Sequence, residues 1–437
     1  MRFIADLHIH SKYSRATSKE MVLEEIDRWA DDKGILVMGT GDFTHPVWFK
    51  EIKEKLEPAE AGLFKLKSQY KKKTLKGNLS ETRFLLTSEI SSIYSKVSAE
   101  TGEKNVHRIH NLVFAPDIET IESIITQLSL IGNLKSDGRP ILGLDAEELA
   151  RIVFNVNPEA VIIPAHAWTP WFSVFGSMSG FDSLEECFGK QAKHIFAIET
   201  GLSSDPAMNW RLSKLDNISF ISNSDCHSLQ KIGREANIFD TELSYSGIID
   251  AIRNGIPNQH KSAQNQHKSA FIATIEFFPE EGKYHYDGHR NCDVVFAPEE
   301  TKKHKNICPK CGKKLTVGVM NRVDELADRG VDYKDDKRVP YYSLIPLDEI
   351  IAESFGLVGT KTKKVVEEYN NLIKSLGSEL KILLEVNEEE IKLFADPRVA
   401  EGIKRVRNGQ VKIHPGFDGE YGKIKIFGEK EREKLES

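Results

Sequence analysis

The strongest chemical signal in the sequence is a set of metal-binding residue types near the N-terminus, in the segment Asp6-Leu7-His8-Ile9-His10. Alternate residues of a β-strand point to the same face, so Asp6, His8 and His10 would lie together, about 6–7 Å apart between successive Cα atoms. Two imidazoles at this spacing can share one metal ion beside a carboxylate. The segment therefore predicts a metal site where the first strand ends.

Further residues of these types end or follow short apolar runs throughout the first 255 residues. The segment Asp225-Cys226-His227 repeats the same-face pattern. A site built from imidazole and carboxylate ligands favours Zn, Mn or Fe, and Mg is the fourth candidate metal. So many such residues at run ends predict a site for two or more divalent cations. The candidate ligands and catalytic residues are His8, His10, Asp42, Glu89, His110, His166, Glu199, Asp225 and His227.

The apolar runs that carry these residues alternate with amphipathic helical segments. Continuous apolar runs bounded by turn residues are typical of buried parallel strands, and the alternation predicts an α/β domain. An open sheet would spread the run ends along an edge, whereas a barrel brings them all to one face. We therefore expect residues 1–257 to form an α/β barrel with the metal site at one mouth.

A second cluster of ligand types lies near residue 300. Cys308 and Cys311 flank a turn that would direct both thiolates at one ion, and a third cysteine and a histidine lie upstream. This spacing predicts a closed structural zinc site. A redox Cys-x-x-Cys is the competing interpretation, which the third cysteine and the missing βαβ context disfavour. The predicted zinc ligands are His289, Cys292, Cys308 and Cys311, with His285 or His304 as alternatives to His289.

The remaining sequence predicts three further segments. Residues 258–270 contain a nearly perfect seven-residue polar repeat and predict a flexible linker. Residues 271–335 would form the zinc-binding module, and residues 336–437 a mainly helical C-terminal domain.

Composition limits the classes of partner. The chain has 60 basic and 66 acidic residues, so its net charge is −6 and it is not coated with positive charge. A lysine cluster free of acids, with Lys302, Lys303 and Lys305, predicts contacts to a phosphate backbone. The longest uncharged stretch contains prolines and a histidine, which excludes a spanning helix, and no signal peptide is evident. We expect a cytoplasmic monomer without a membrane partner.

The ordered motifs DLHIHS, GTGDFTH, TSEIS, HNLVF, PAHAW and SNSDCH resemble those of the PHP phosphoesterases over about residues 1–255. The resemblance implies a distorted (β/α)7 barrel, similar to a TIM barrel, that holds two or three metals. It assigns one metal to His8, His10, Glu89 and Asp225, a second to Glu89, His110 and His166, and a third to Asp42 and His227.

Residues 11–16 lack a histidine that many members of this family have there, so the third site is the least complete. His45 is a substitute ligand, and Glu199 either positions a ligand or water or is structural. Paired cations lower the pKa of a bridging water and offset phosphoryl charge. We therefore expect phosphoester hydrolysis, with a metal-bridging hydroxide as the nucleophile.

Longer segments, including PAHAWTPWFSVFGSMSGFDSLEECFG, IEFFPEEGKYHYDGHRNC and CPKCGKKLTVGV, resemble the endonuclease Q family. This resemblance covers about residues 1–350 well and the tail more loosely. It implies a DNA repair endonuclease that cuts 5′ of deaminated bases (uracil, hypoxanthine and xanthine) and of abasic sites. Trp168, Trp171 and Phe172 follow a candidate ligand and would stack on a base extruded from the duplex.

Three other functions fit parts of the sequence. A small-molecule phosphatase of the same fold, similar to histidinol phosphatase, would not need the zinc module, the tail or the lysine clusters. A 3′-exonuclease is possible within the fold. A catalytically inactive DNA-binding module would lack metal ligands, which are nearly all present. A sliding clamp is considered as a partner, although no clamp-binding peptide is evident near the C-terminus.

Overall fold

The computed structural model describes residues 1–97, 102–255, 270–428 and 431 of the 437-residue chain. Its N-terminal part alternates strands with helices, as the apolar runs predict. The strands are β1 (Arg2–Asp6), β2 (Val37–Gly39), β3 (Leu56–Pro58), β4 (Phe64–Leu66), β5 (Arg83–Val97), β6 (Lys104–Ala115), β7 (Ile141–Leu142), β8 (Val161–Pro164), β9 (Ala197–Glu199), β10 (Ser219–Ile221) and β11 (Ala236–Asp240). The helices are α1 (Leu23–Lys33), α2 (Pro46–Lys55), α3 (Ile118–Ser129), α4 (Ala146–Val156), α5 (Leu184–Phe188), α6 (Pro206–Trp210) and α7 (Tyr245–Asn254).

The C-terminal part begins with mixed elements and becomes mainly helical. Its first elements are β12 (Ala270–Glu276), β13 (Asp287–His289), β14 (Val294–Phe296), α8 (Pro298–Lys303), α9 (Val319–Leu326) and β15 (Tyr341–Ser343). They are followed by α10 (Leu347–Ser354), α11 (Lys363–Leu376), α12 (Glu379–Leu384), α13 (Glu388–Phe394), α14 (Pro397–Arg407), β16 (Lys412–His414) and β17 (Lys423–Lys425).

Helix boundaries in the N-terminal part follow local capping. Helix α3 begins after Asp117 and α4 after Asp145, and each carboxylate accepts a hydrogen bond from a backbone N–H of its first turn. Such caps satisfy donors that have no partner within the helix. Helix α3 then buries Ile121, Ile124 and Leu128 at helical spacing. These helices therefore cover the sheet with one apolar face each.

The main sheet runs in the order β15-β12-β11-β1-β2-β5-β4-β3, with β6 paired to β5 and β8 paired to β6. Strands β1, β2 and β5 are parallel neighbours, whereas β6 is antiparallel to β5. Strands β9 and β10 form a separate parallel pair. The mixed α/β class predicted from the sequence is confirmed, but the backbone ladders of the described strands do not close into a ring.

Two asparagine side chains extend the pairing where the ladders stop. The amide oxygen of Asn223 accepts a hydrogen bond from the N–H of Leu7, at 2.8 Å. The amide N–H of Asn237 donates to the carbonyl of Ser222, at 2.7 Å, and to that of Ala5, at 3.4 Å. The segment after β10 is therefore linked to β1 and β11 by these side chains, and to the residues after β1 by a backbone hydrogen bond from His10 N–H to the Cys226 carbonyl at 3.1 Å, instead of by a continuous ladder.

Strand β12 lies close to a predicted domain boundary. It pairs with β11 and β15, so residues after the predicted linker share one sheet with residues before it. The predicted linker at 258–270 falls outside the described residues, except for Ala270. The domain boundaries therefore stay predictions. Across the described residues, no helix combines the length and the apolar character needed to cross a bilayer.

The C-terminal helices share a continuous apolar core with the N-terminal part. A buried ion pair crosses this interface: Lys33 Nζ of α1 lies 2.6 Å from Glu379 Oε2 of α12, and both side chains are at most 4% exposed. Glu379 also accepts hydrogen bonds from the hydroxyl of Tyr369 and the N–H of Leu347. The pair therefore fixes α1 against α10, α11 and α12.

We expect Lys33→Met to lower the free energy of unfolding by about 3–5 kcal/mol, because it leaves the Glu379 carboxylate buried without its counter-ion. Urea denaturation measures the change. Lys53→Met is the matched control: Lys53 pairs with Glu122 at 2.8 Å, but both side chains are about half exposed, so its loss should cost about 0–1 kcal/mol. Equal losses in the two variants would contradict the prediction.

Candidate metal centre

Four side chains from distant parts of the chain form a first candidate ion set. It consists of His8 and His10 after β1, Glu89 on β5, and Asp225 after β10; their ligand atoms all lie within 4.8 Å of one another. His10 Nε2 lies 3.0 Å from Asp225 Oδ1 and 3.3 Å from Glu89 Oε2. Although these atoms lie close together, His8 Nε2, His10 Nε2 and Asp225 Oδ1 are buried and none has a partner with hydrogen-bond geometry among the described residues. Buried polar atoms normally have partners, so this convergence fits a divalent cation.

Glu89 also belongs to a second candidate set, with His110 on β6 and His166 after β8. Its Oε1 lies 2.6 Å from His110 Nδ1 and 3.0 Å from His166 Nε2, whereas its Oε2 faces His8 and His10. One carboxylate thus directs one oxygen into each set. This is the geometry of a carboxylate that bridges two adjacent cations.

The electrostatics of the first set favour positive charge. Burial by itself would lower the pKa of His8 and His10, yet the neighbouring carboxylates hold both pKa values well above the usual value. Burial would raise the pKa of Glu89, but the charges of His110 and Arg139 hold that pKa well below its ordinary value. A pocket that keeps its carboxylates ionised and attracts positive charge is suited to cations.

Glu199 and Asp42 orient the rings of His8 and His10 by contacting their Nδ1 atoms, while the Nε2 atoms face the first ion set. Both carboxylate oxygens of Glu199 lie 3.1 Å from His8 Nδ1, and Oε2 also accepts the N–H of His166 at 2.8 Å. Asp42 Oδ1 lies 3.1 Å from His10 Nδ1. Carboxylates in this position fix the ring orientation and raise the basicity of a metal-binding histidine.

None of the three candidate ion sets among the described residues contains Asp42 or His227, the pair that the family resemblance assigns to a third metal. The second oxygen of Asp42 accepts the backbone N–H and hydroxyl of Ser11 and the hydroxyl of Ser14. The ring of His227 packs on that of His10 at 4.4 Å, and its Nδ1 lies 2.9 Å from the carbonyl oxygen of Asp225. His45 instead caps α2 through its Nδ1. Both oxygens of Asp42 thus have partners within the chain, and the third metal site stays a prediction.

Three of these residues have left-handed backbone conformations: Asp42 (φ 50°), His166 (φ 30°) and Asp225 (φ 46°). Such values are uncommon for residues other than glycine and concentrate at functional sites. Gly201 permits the His166 conformation, because a Cβ on Gly201 would lie 2.5 Å from the Cβ of His166. Each strand end thus turns sharply and directs its side chain inward.

The predicted zinc ligands also meet in space. His289, Cys292, Cys308 and Cys311 form the third candidate ion set, with His289 Nδ1 3.5 Å from Cys311 Sγ. The two alternatives lie elsewhere: His285 is buried beside Tyr286, and His304 stacks on Phe296. Against the opposing effect of desolvation, the N–H groups of Lys310 and Cys311 lower the pKa of the Cys308 thiol to about 7, which favours the thiolate that zinc requires.

The predicted DNA-contact residues differ in accessibility. Trp168 is 1% exposed and donates its indole N–H to Asn209, so its side chain lies in the core. Trp171 is 40% exposed, and the ring of Phe172 packs on that of His110 at 4.7 Å. The three predicted lysines, Lys302, Lys303 and Lys305, are exposed on and after α8, and Lys302 forms an ion pair with Asp324.

Sequence reasoning missed Arg139, the guanidinium at the ion sets. Its Nη1 lies 3.0 Å from Glu89 Oε2, and its side chain is 25% exposed. Arg139 ends a polar turn, Ser136-Asp137-Gly138-Arg139, that looks like an ordinary surface loop. The turn is held at the site because the Gly138 N–H donates to the carbonyl of Tyr13. Only the fold reveals this proximity, since 50 residues separate Arg139 from Glu89.

An α/β fold that gathers histidines and carboxylates into two ion sets sharing one carboxylate defines a PHP-type, metal-dependent phosphoesterase. The family model described as "PHP-associated" matches residues 208–256, and that described as "MJ0043 C-terminal domain" matches residues 346–410. The crystal structure of the lesion-specific endonuclease PfuEndoQ from Pyrococcus furiosus superposes with a TM-score of 0.81 at 31% identity, covering 97% of this chain and 95% of that chain. The chain belongs to the endonuclease Q family, which confirms the resemblance seen in the sequence.

Three further similarities extend over much of the chain. A crystal structure of endonuclease Q in complex with a 27-mer duplex, with an abasic lesion at the active site, has a TM-score of 0.79 at 32% identity and covers 98% of both chains. The uncharacterized protein YqxK of Bacillus subtilis is 29% identical over 97% of this chain and 99% of its own length. The uncharacterized protein MJ0043 of Methanocaldococcus jannaschii is 36% identical over 67% of this chain, an alignment that spans only 36% of that longer protein.

Proposed function

We propose that this protein is a metal-dependent DNA repair endonuclease that hydrolyses the phosphodiester 5′ of lesions. The observation that carries the proposal is Glu89, which directs one oxygen into each of two adjoining ion sets. The related structures of a lesion-specific endonuclease and of its complex with an abasic duplex support DNA as the substrate. Sequence resemblance extends the proposed lesions to uracil, hypoxanthine and xanthine.

Two adjacent cations, when bound, supply charge that lowers the pKa of a water and offsets charge developing on the phosphoryl group. Residues of the chain hold the candidate ligands in position for these cations. Glu199 and Asp42 hold the rings of His8 and His10 so that their Nε2 atoms face Glu89 and Asp225. The donor set suits Zn, Mn or Fe in the barrel, and the thiolate set suits one structural Zn.

We further propose that the N-terminal domain is a distorted (β/α)7 barrel built from β1, β2, β5, β6, β8, β9 and β10. One buried apolar cluster contains residues from all seven strands, including Ala5, Leu85, Leu112, Ile163 and Ile221. The Asn223 and Asn237 contacts link the last strand to β1. A shared interior of this kind is typical of a barrel core.

Arg139 would contact the scissile phosphate. Of the Arg139 guanidinium, only Nη1 has a partner among the described residues, Glu89, and a quarter of the side chain is open to solvent. A guanidinium presents its donors in a fixed fork that matches phosphate oxygens. Arg139 can therefore hold Glu89 with one nitrogen and a phosphate oxygen with the others.

DNA duplexes that carry one uracil, one hypoxanthine or one abasic site test the proposed function. The protein with Mn, Mg or Zn should nick each duplex 5′ of the lesion and leave the undamaged duplex intact. Equal cutting of undamaged DNA would reject lesion specificity, and trimming from the ends would indicate a 3′-exonuclease. Release of phosphate from histidinol phosphate with no nicking would favour a small-molecule phosphatase, and binding without hydrolysis would favour an inactive module.

We expect Arg139→Met to lower kcat/KM for a lesion duplex by about 10²-fold, the effect of removing one donor that stabilises developing charge. Arg139→Lys should recover only part, because an ammonium keeps the charge but lacks the fork. Single-turnover nicking and metal content measure both variants. Arg151, exposed on α4 and paired with Glu148, supplies the control Arg151→Met, which should match wild type. Wild-type nicking by Arg139→Met would exclude the phosphate contact.

A further inference from the structure

The loop of residues 169–182, here called the aromatic loop, packs directly on the second ion set. The carbonyl of Phe172 accepts the backbone N–H of His110 at 3.1 Å, and the two rings lie 4.7 Å apart. Thr169 Oγ1 lies 3.1 Å from His166 Nδ1. Both histidines that accompany Glu89 in this set are thus held in part by the loop. The position of the loop therefore contributes to the orientation of both histidines.

The aromatic loop also presents apolar side chains at the surface. Trp171 is 40% exposed and Met178 is 58% exposed, while Phe175 and Phe181 of the same loop are buried. Phe172 has a left-handed backbone, with φ of 63°. Such a conformation persists only where surrounding contacts impose it, so the loop requires anchors outside itself.

One of these anchors is Arg322 of α9, which is only 9% exposed. Its Nε donates to the carbonyl of Phe175 at 3.1 Å. Its Nη2 donates to the carbonyl of Phe181 at 3.2 Å and to Asp182 Oδ1 at 2.5 Å. A single buried guanidinium thus holds the second half of the loop at three points, and hydrogen bonds from charged donors are the stronger kind.

Within the zinc module, α9 is in turn fixed to β13, the strand that carries a candidate zinc ligand. Asp287, which is fully buried, accepts the N–H of Gly318 at 2.6 Å and the amide N–H of Asn321 at 2.7 Å. Asp287 is the first residue of β13, and β13 ends at the candidate zinc ligand His289. A continuous chain of contacts therefore runs from the zinc set through β13 and α9 to the aromatic loop.

We propose that Arg322 is a positioning residue through which the zinc module fixes the aromatic loop against His110 and His166. This inference rests on the proposed function, and it gives the zinc module a specific task in it. The loop would meet the DNA with Trp171 and Met178 already in place, so less ordering would be needed on binding. Arg322 itself would touch neither DNA nor metal.

The test compares Arg322→Met and Arg322→Lys with the control Arg329→Met. Arg329 is also an arginine that follows the zinc set, but it bonds to Asp216 and to the carbonyl of Trp210, away from the loop. The first readout is cleavage of the folded protein by chymotrypsin after Trp171 or Phe172. Arg322→Met should be cut faster than wild type, Arg322→Lys should lie between them, and Arg329→Met should match wild type.

The second readout is steady-state nicking of a lesion duplex. Displacing a catalytic group by about 1 Å can lower the rate by about 10²-fold. We therefore expect kcat/KM to fall about 10- to 100-fold in Arg322→Met, mainly through a higher KM. In Arg329→Met, kcat/KM should stay near the wild-type value. Wild-type protease resistance in Arg322→Met, or equal effects of the two Met variants, would overturn the inference. If wild-type protein nicks no lesion duplex, the proposed function fails, but the protease comparison still decides whether Arg322 positions the loop.

Discussion

Glu89→Gln is expected to lower lesion-dependent nicking by about three orders of magnitude or more. Glu89 contributes an oxygen to both ion sets, so the neutral amide removes negative charge from both at once. A catalytic metal supplies several kcal/mol of transition-state stabilisation, and each 1.36 kcal/mol corresponds to a factor of ten in rate. Single-turnover nicking of a lesion duplex, with metal content by mass spectrometry, measures the effect.

Glu199→Gln is the graded control for Glu89→Gln. Glu199 is equally buried, but its carboxylate lies against His8 Nδ1 and accepts hydrogen bonds from the N–H of His166 and the amide of Asn223. Loss of such an orienting carboxylate typically costs about 10- to 100-fold in metal affinity or activity. We therefore expect Glu199→Gln to be less impaired than Glu89→Gln and to regain activity at raised metal concentration. A wild-type nicking rate in Glu89→Gln would contradict the proposal that Glu89 serves two catalytic ion sets.

Ligand types that follow strands made part of the two central ion sets accessible to sequence reasoning, whereas Glu89 and His110, expected at the ends of apolar runs, lie within β5 and β6. His8 and His10 follow one strand, and Asp225 follows another, so local patterns place them at one end of the fold. The zinc set was accessible for a similar reason, because its spacing reflects a turn that closes locally. Both cases depend on short-range geometry that a strand or turn imposes on its own residues.

Other features depend on contacts that no local pattern encodes. The role of Asp42 depends on Ser11 and Ser14, whose hydroxyls are recognisable as its partners only once the fold is known. Trp168 and Trp171 are three residues apart in one aromatic segment, yet one lies in the core and the other at the surface. Side-chain exposure in a loop is set by what packs against it. Arg139 and Arg322 escaped notice for the same reason.

The absence of a continuous ladder between β8 and β9 is a further example. The sequence predicts each of these strands as an apolar run, and each is present. Whether neighbouring runs pair by backbone or only by side chains depends on where each strand ends. Here β9 is three residues long, and the chain after β8 is linked to the end of β9 through Glu199, whose carbonyl accepts the Ala167 N–H at 2.9 Å and whose carboxylate accepts the His166 N–H at 2.8 Å. The presence of a strand is thus easier to anticipate from sequence than the closure of the sheet.

Cys308→Ser is expected to release one zinc per chain and to unfold the zinc module. The apolar cluster around the zinc set is small, with Val294, Cys308 and Leu315 as its buried members. Burial of so few apolar residues does not offset the entropy lost when the segment is ordered, so zinc binding must supply the stability. In zinc-finger peptides the free energy of zinc binding amounts to about 10–16 kcal/mol. Zinc content by mass spectrometry and chymotrypsin resistance of the aromatic loop measure the result.

The outcome for the loop follows from the chain of contacts through β13 and α9. Without the zinc set, Asp287 loses its fixed place, and Arg322 no longer has a rigid support. We therefore expect Cys308→Ser to be cut in the aromatic loop at least as fast as Arg322→Met. Cys187→Ser, which alters a buried cysteine outside the zinc set, is the control and should keep its zinc. Wild-type zinc content in Cys308→Ser would exclude this ligand set. Loss of zinc with no faster cleavage of the aromatic loop would contradict the proposal that the zinc module positions this loop.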